Sequence, residues 1–482
     1  MSASNRSLVA LLALAGVGAA GFFVAGLPGL NDRPGWFYRA AHTGSLLSAF
    51  AVVVAALAPF AVRAALRAAD AHRHARALLT LVLVGALMQL ALLALAPRQL
   101  DAAWRRLHDG HGEYLRIASA RRGHALETLR DYESLCERGT LGSFARSKPP
   151  GTLAVYLALD RLGESQPVRT LLAPLVERAR RSQVANVAPA AALAFVLFPL
   201  LTFLTVIPLV LLARALLHDA RAGYDAAVLW VCSPAALLIT LHLDGAFFPL
   251  LGTSSVALAA VGARRGAPLA SLAGGVFAAL GAYCTFGLLP VVGLGVGCAL
   301  VVAAEQRAHH QPVAQAARPL VQALLFLAAT AATTAALGIA LAYAPLTRYE
   351  NALALHGEWK AFVPTRAWRA LSLVEFALYA GIPFALAYAV EVARAALGLS
   401  RRELIAPSAW TLGTTATLGA LALFQGTNEV ARLWMFMIPF GSLAIAAGVR
   451  ARSAEDPRAA VLPALAFAQA LLAVIMKVTQ PW

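Results

Sequence analysis

The chain reads as an all-α polytopic membrane protein, with about thirteen transmembrane helices and a large outer-face loop that carries amphipathic surface helices. Three observations predict this. Of 482 residues, 60% are hydrophobic and only 13% are charged, whereas about a quarter are charged in soluble domains. Mean hydropathy is +0.69. Uncharged runs able to carry about 20 residues across the hydrocarbon core recur from one end of the chain to the other. Such a composition excludes a soluble enzyme, a disulfide scaffold and a disordered chain. The formal charge of +16 would suggest nucleic acid in a soluble protein. Here the cations gather in short loops beside apolar runs, where they set orientation in a lipid bilayer, so no nucleic-acid partner is expected.

Taken in order, spans are expected near Leu8–Gly26, Gly44–Val62 and Ala77–Ala96, which form residues 1–96. An insertion over 97–187 follows. The bundle over 188–482 then holds Ala190–Ala213, Ala226–Leu241, Ala246–Ala263, Pro319–Ala344, Leu371–Val390, Leu404–Phe424, Leu433–Val449 and Val461–Met476. Pro268–Ala304 is too long for one helix and long enough for two, with the break expected at Tyr283-Cys284-Thr285-Phe286-Gly287. One membrane domain overall is the reading. Cys232, Cys284 and Cys298 lie in apolar runs and Cys136 stands alone in the insertion, a spacing that suits neither disulfides nor zinc.

Arginine asymmetry orients the bundle. Arg63, Arg67, Arg73 and Arg76, then Arg214, Arg221, Arg264, Arg265, Arg307, Arg318, Arg394, Arg401, Arg402, Arg450, Arg452 and Arg458 fall in alternate loops, which are read as cytoplasmic. The insertion then lies outside the cytoplasmic (inner) membrane. Its apolar residues recur at helical spacing, as in Leu153, Tyr156, Leu157 and Leu159 after Pro149-Pro150-Gly151. That stretch is too short to cross and is expected to lie on the outer membrane surface.

With this topology the polar constellations share one face. The insertion supplies His108-Asp109-Gly110-His111-Gly112-Glu113-Tyr114, Arg130-Asp131-Tyr132-Glu133 and Ser147-Lys148-Pro149-Pro150-Gly151. Later loops supply His242-Leu243-Asp244, His356-Gly357-Glu358-Trp359-Lys360 and Gly426-Thr427-Asn428-Glu429-Val430-Ala431-Arg432. Phosphate calls for Arg or Lys donors, and activating a hydroxyl calls for a carboxylate base, so converging acids and cations suit a charged lipid headgroup.

An early outer Asp with a nearby Tyr, a later Lys-Pro-Pro-Gly, a short surface helix and many spans resembles the GT-C superfamily of integral-membrane glycosyltransferases. Glu429-Val430-Ala431-Arg432-Leu433-Trp434-Met435-Phe436 with Pro439 is similar to the Glu-x-x-Arg-aromatic pattern that opens a late span in some bacterial members. The resemblance implies inverting transfer of a hexosyl or pentosyl group from a polyprenyl-phosphate-linked donor to a lipid, glycan or protein acceptor on the extracytoplasmic side. An outer-loop Asp would serve as the base. Members usually place that loop after their first span, whereas here it follows the third.

Asp109 is the first candidate base, its alternative being a helix N-cap. Asp131 and Asp244 are the other candidates, Asp131 also fitting a solvated face and Asp244 a cap, a sugar contact or a divalent-ion ligand. Glu113 and Tyr114 would contact substrate, with Glu113 also a second acid or a metal ligand. Lys148, presented by two prolines, suits a phosphate or acts as a snorkelling anchor. Arg432 suits the prenyl phosphate, Glu429 pairs with it or faces the donor, and His356 is a loop donor to phosphate or acceptor. Glu375, just inside a span, needs a partner the sequence does not identify. No cofactor is expected beyond a possible divalent cation held by oxygen ligands. Two other readings compete with the enzyme: a lipid-linked glycan transporter or flippase, and a non-catalytic membrane scaffold.

Overall fold

A computed structural model describes residues 3–25, 60–95, 99–108, 112–181, 189–239, 241–360, 365–400, 406–424, 430–453 and 461–479. All regular structure among the described residues is helical. Seven of these helices are long and apolar enough to cross a membrane: His74–Leu93, Pro189–Leu217, Leu243–Arg265, Phe286–Ala308, Val313–Leu341, Ile382–Ser400 and Val461–Val478. Apolar but shorter are Pro268–Cys284 and Met435–Ala451. The expected Gly44–Val62 span falls almost entirely outside the described residues.

The long uncharged stretch divides where the sequence suggests. Helix Pro268–Cys284 ends at extended Thr285, a 3-10 turn covers Phe286–Leu288, and Pro290 opens the next helix. Two other expected spans are each broken instead. Ala226–Leu241 splits into Ala220–Val231 and Pro234–Leu238, because Pro234 cannot continue a helix and Ser233 caps the new one through the Ala236 amide. Leu371–Val390 splits into Thr365–Ala380 and Ile382–Ser400, because Gly381 takes a left-handed φ of +99° and Pro383 follows.

Backbone groups freed by a break inside a membrane need internal partners. Two fully buried glutamines supply them: Gln89 Nε2 donates to the Ala236 carbonyl, in the last turn of helix Pro234–Leu238, and Gln469 Nε2 to the Ala380 carbonyl at the Gly381 break, each at 2.7 Å. Elsewhere small residues let helices approach closely. Gly262 backs onto Ser271, and Gly275 onto the Phe326 carbonyl. Ser255 Oγ donates to the Gly274 carbonyl at 2.9 Å and Ser271 Oγ to Gln322 Oε1 at 2.8 Å.

Many of the arginines counted for orientation also hold the end of the bundle opposite the insertion. Arg264 donates to the Ala215 and Leu216 carbonyls at 2.9 and 3.2 Å, satisfying the last turn of helix Val206–Leu217, and pairs with Glu305 at 2.6 Å. Arg450 pairs with Asp219 at 2.7 Å and Asp225 at 3.4 Å.

The insertion folds into a second core. Trp104, Tyr114, Tyr132, Leu135, Leu153 and Tyr156 bury together and continue into Ala190 and Phe198 of the bundle. Helix Gly151–Gly163 is a correction: Leu153, Tyr156, Leu157 and Leu159 face protein, between helix Glu113–Ala120 and helix Pro189–Leu204, rather than the outer lipid surface. Its N-terminus docks on the end of helix Pro268–Cys284. Thr152 Oγ1 donates to the Cys284 carbonyl at 2.8 Å, and Gly151 lies against the Tyr283 backbone, where any Cβ would collide.

Candidate functional site

Where the insertion meets the bundle, three distant segments close on one carboxylate. The broken stretch after Leu238 leads through His242 into Asp244, which starts the helix running on to Arg265. Lys148 sits in the turn between helices Ser143–Arg146 and Gly151–Gly163. Arg432 ends the short helix Val430–Leu433 ahead of the late apolar helix. Lys148 Nζ donates to both oxygens of Asp244 at 2.9 and 3.0 Å. Arg432 Nε lies 3.2 Å from Asp244 Oδ2. The Asp244 side chain is 1% exposed, Lys148 10% and Arg432 14%, so all three charges are largely withdrawn from water. A buried carboxylate persists only when paired and hydrogen-bonded; Lys148 does both, and Arg432 adds a second positive charge at ion-pair distance.

Neighbouring groups add to this centre. Lys148 Nζ stands 5.6 Å from the Phe248 ring centroid. Tyr156 accepts a hydrogen bond from the Leu243 amide and feels both Asp244 and Arg432; burial raises its phenol. In the turn ahead of Leu243, burial, then Arg432 and Arg106, push the His242 imidazole down to about 3, so it is neutral. Arg106, on helix Gln99–His108, is itself pushed down to about 10 by burial. Glu375 has a partner after all: its Oε1 accepts from the Ala431 amide at 3.2 Å, one residue before Arg432. Tyr379, one turn on, feels Glu375 and Arg106.

The sequence candidates thus separate into three groups. Lys148, Asp244 and Arg432 come together. Glu113 and Tyr114 make bonds within the insertion: Glu113 Oε1 accepts from the Ala145 amide at 2.7 Å, fastening the turn ahead of Lys148, while burial raises its carboxyl. Tyr114 lies in the insertion core, donates to the Phe144 carbonyl at 2.9 Å and stacks on Tyr156 with ring centroids 5.4 Å apart. Asp131 stands exposed at the corner between Ala125–Arg130 and Tyr132–Glu137. The segment expected as a loop around His356 is part of helix Pro345–Lys360. Asp109 and Glu429 lie outside the described residues.

Sequence reasoning missed Arg106 and gave His242, Tyr156 and Tyr132 no role at the site. Tyr132 holds the lysine turn by donating to the Ala145 and Lys148 carbonyls at 2.6 and 3.2 Å. The signal available was an acid–aromatic–acid run, Asp131-Tyr132-Glu133, read for its acids alone. All four cysteines are free and buried. Among the described residues no group of three metal-ligating side chains gathers, and Asp244, the buried acid closest to that role, is taken up by cations. Two cations around one internal carboxylate fit an incoming anion better than a metal ion. Comparison of the chain with protein-family models, curated proteins and solved structures finds no match.

Proposed function

We propose that this protein is a membrane glycosyltransferase that moves a sugar, with inversion, from a polyprenyl-phosphate-linked donor to an acceptor at the extracytoplasmic face of the inner membrane. What supports the reading above all is the buried convergence of Lys148 and Arg432 on Asp244. An ammonium and a planar guanidinium, held apart from water next to apolar helices, are the groups a lipid-borne phosphate needs. Asp244 acts as their counter-ion until the phosphate arrives. With its oxygens committed to cations it is poorly placed to take a proton, so the base falls to Asp109. That residue directly follows helix Gln99–His108, which brings Arg106 within electrostatic reach of His242.

Transfer of labelled sugar from a polyprenyl-phosphate donor, in vesicles containing the purified protein, tests this. Asp109→Asn should bind donor normally and lose about two or more decades of rate. Wild-type protein that transfers no sugar from any such donor would refute the reading.

A transporter of lipid-linked glycans is the second reading, favoured by the two helices broken inside the apolar bundle, a device that transporters use at their substrate sites. In the same vesicles it predicts movement of the lipid between leaflets without glycosyl transfer.

A further inference from the structure

Helix Pro345–Lys360, which follows the longest apolar helix, is inside out for a surface surrounded by water. Arg348 and Ala352, one turn apart, form its buried side. The arginine, 2% exposed, donates Nη1 to Glu133 Oε2 at 3.1 Å and Nη2 to the Arg146 carbonyl at 2.8 Å, so a charged group fastens this side to the insertion two residues ahead of Lys148. Leu346, Tyr349 and Leu353 recur at helical spacing along a second side and are 77%, 39% and 55% exposed. Thr347, Asn351 and Glu358 make up a third, polar and exposed side. A charge turned toward protein with leucines turned away from it suits contact with hydrocarbon, since exposure of those leucines to water is unfavourable.

The place of the helix in the chain agrees. Helix Val313–Leu341 has 29 residues and no charge between Arg318 and its end. Counting about 20 residues from Arg318 puts the far edge of the hydrocarbon core near Gly338. Ile339, 88% exposed, therefore stands at that edge, and Ala342, with a left-handed φ of +50°, turns the chain before Pro345. Two ring contacts fix the same level independently. Tyr343 meets Tyr283, and Tyr349 meets Phe286, each edge to face with centroids 5.1 Å apart. Tyr283 and Phe286 belong to the break between apolar helices Pro268–Cys284 and Pro290–Ala308, so the first turns of helix Pro345–Lys360 lie level with the ends of those helices. Tyrosines collect at this depth in membrane proteins, with ring in lipid and hydroxyl in the headgroups.

We infer that the Leu346–Tyr349–Leu353 side of helix Pro345–Lys360 lies in the lipid leaflet at the insertion end of the bundle, at the boundary between acyl chains and headgroups. The bilayer is the partner because the exposed apolar surface of helix Val313–Leu341 continues into this side with no charged residue between Ile339 and Leu346. Through Arg348 the lipid-seated helix holds the Arg146 carbonyl, and so it sets the depth at which the Lys148 turn meets the membrane. None of this depends on which reaction, if any, the protein carries out.

Spin labels on the full-length protein test the inference, in nanodiscs of phosphatidylethanolamine and phosphatidylglycerol. Leu346→Cys and Leu353→Cys report the apolar side, Thr347→Cys and Glu358→Cys the polar one; the four native cysteines are buried, and labelled wild type supplies their background. Power-saturation EPR compares collisions with oxygen, which concentrates in hydrocarbon, and with a water-soluble nickel chelate. The oxygen-to-nickel ratio should be severalfold higher at 346 and 353 than at 347 and 358. Hydroxyl-radical footprinting of the wild-type protein, which needs no substitution, should leave Leu346 and Leu353 unmodified in nanodiscs. Labels at 346 and 353 that meet nickel as freely as those at 347 and 358, or radical modification of both leucines, would place this side in water and overturn the inference. Labels sheltered from oxygen and nickel alike would also overturn it, since a protein partner and not lipid would then cover the leucines.

Discussion

Lys148 and Asp244, 96 residues apart in the chain, share a two-bond ion pair at 2.9 and 3.0 Å in a place nearly closed to water. The pair staples the insertion to the bundle and, with Arg432, gathers two positive charges at one point of the interface. Breaking a buried pair from one side strands the other charge. Lys148→Met should therefore lower stability by about 3–5 kcal/mol, and Lys148→Met/Asp244→Asn should lose less than the sum of the two single changes. Thermal unfolding of the four proteins in one detergent measures the coupling; strict additivity would show that the pair carries no mutual energy.

Gly151 tests how the lysine turn is seated. A methyl at this position meets the Tyr283 carbonyl, a backbone atom that cannot swing aside. Gly151→Ala is expected to cost about 1–3 kcal/mol, in the range of overpacked cores, and to weaken the proposed polyprenyl-phosphate binding by moving Lys148. Gly413, in helix Ala406–Phe424, where an added Cβ meets nothing, serves as the control glycine.

The helix breaks make a separate prediction. Gln469→Leu leaves the Ala380 carbonyl without its donor, a loss of about 1–3 kcal/mol. Gln469→Glu, protonated, can still donate and should retain more stability, as a melting series at falling pH would reveal. Equal stability of the Leu variant and wild type would mean that the break finds another donor.

Acid should loosen the insertion through Asp160. The side-chain bonds from Arg122 at 2.8 Å and Ser119 at 3.0 Å hold this carboxyl below the ordinary aspartate range. A depressed pKa in the fold means that its stabilisation is complete above the unfolded-state value and is lost as pH falls through the folded-state value. Asp160→Asn should flatten that acid limb in a pH series of unfolding temperatures, and an unchanged limb would assign it to another acid.

How far the sequence foretold this structure varies by feature. The all-helical membrane character and the division at Tyr283–Gly287 were legible, because each follows from local hydropathy and turn chemistry. The helix breaks at Ser233-Pro234 and Gly381 were not, since an apolar run hides them, and the Gln469 bond to the Ala380 carbonyl comes from a distant helix. Lys148 and Arg432 stood out as boundary cations, yet that both would close on Asp244 depends on tertiary contacts across the whole chain. Tyr114 and Glu113 were read for substrate contact, as polar residues beside a candidate base, while their bonds to the Phe144 carbonyl and the Ala145 amide are invisible along the sequence.

Affinity for polyprenyl phosphate, measured in nanodiscs for wild type, Arg432→Gln and Asp244→Asn, bears most directly on the central claim. Arg432→Gln removes the planar cation and should weaken binding about tenfold or more while the protein stays folded. Asp244→Asn removes the internal anion that competes for both cations, so binding should hold or tighten. Wild-type affinity in Arg432→Gln, or loss of binding in Asp244→Asn with the fold intact, would contradict a phosphate site built from Lys148 and Arg432.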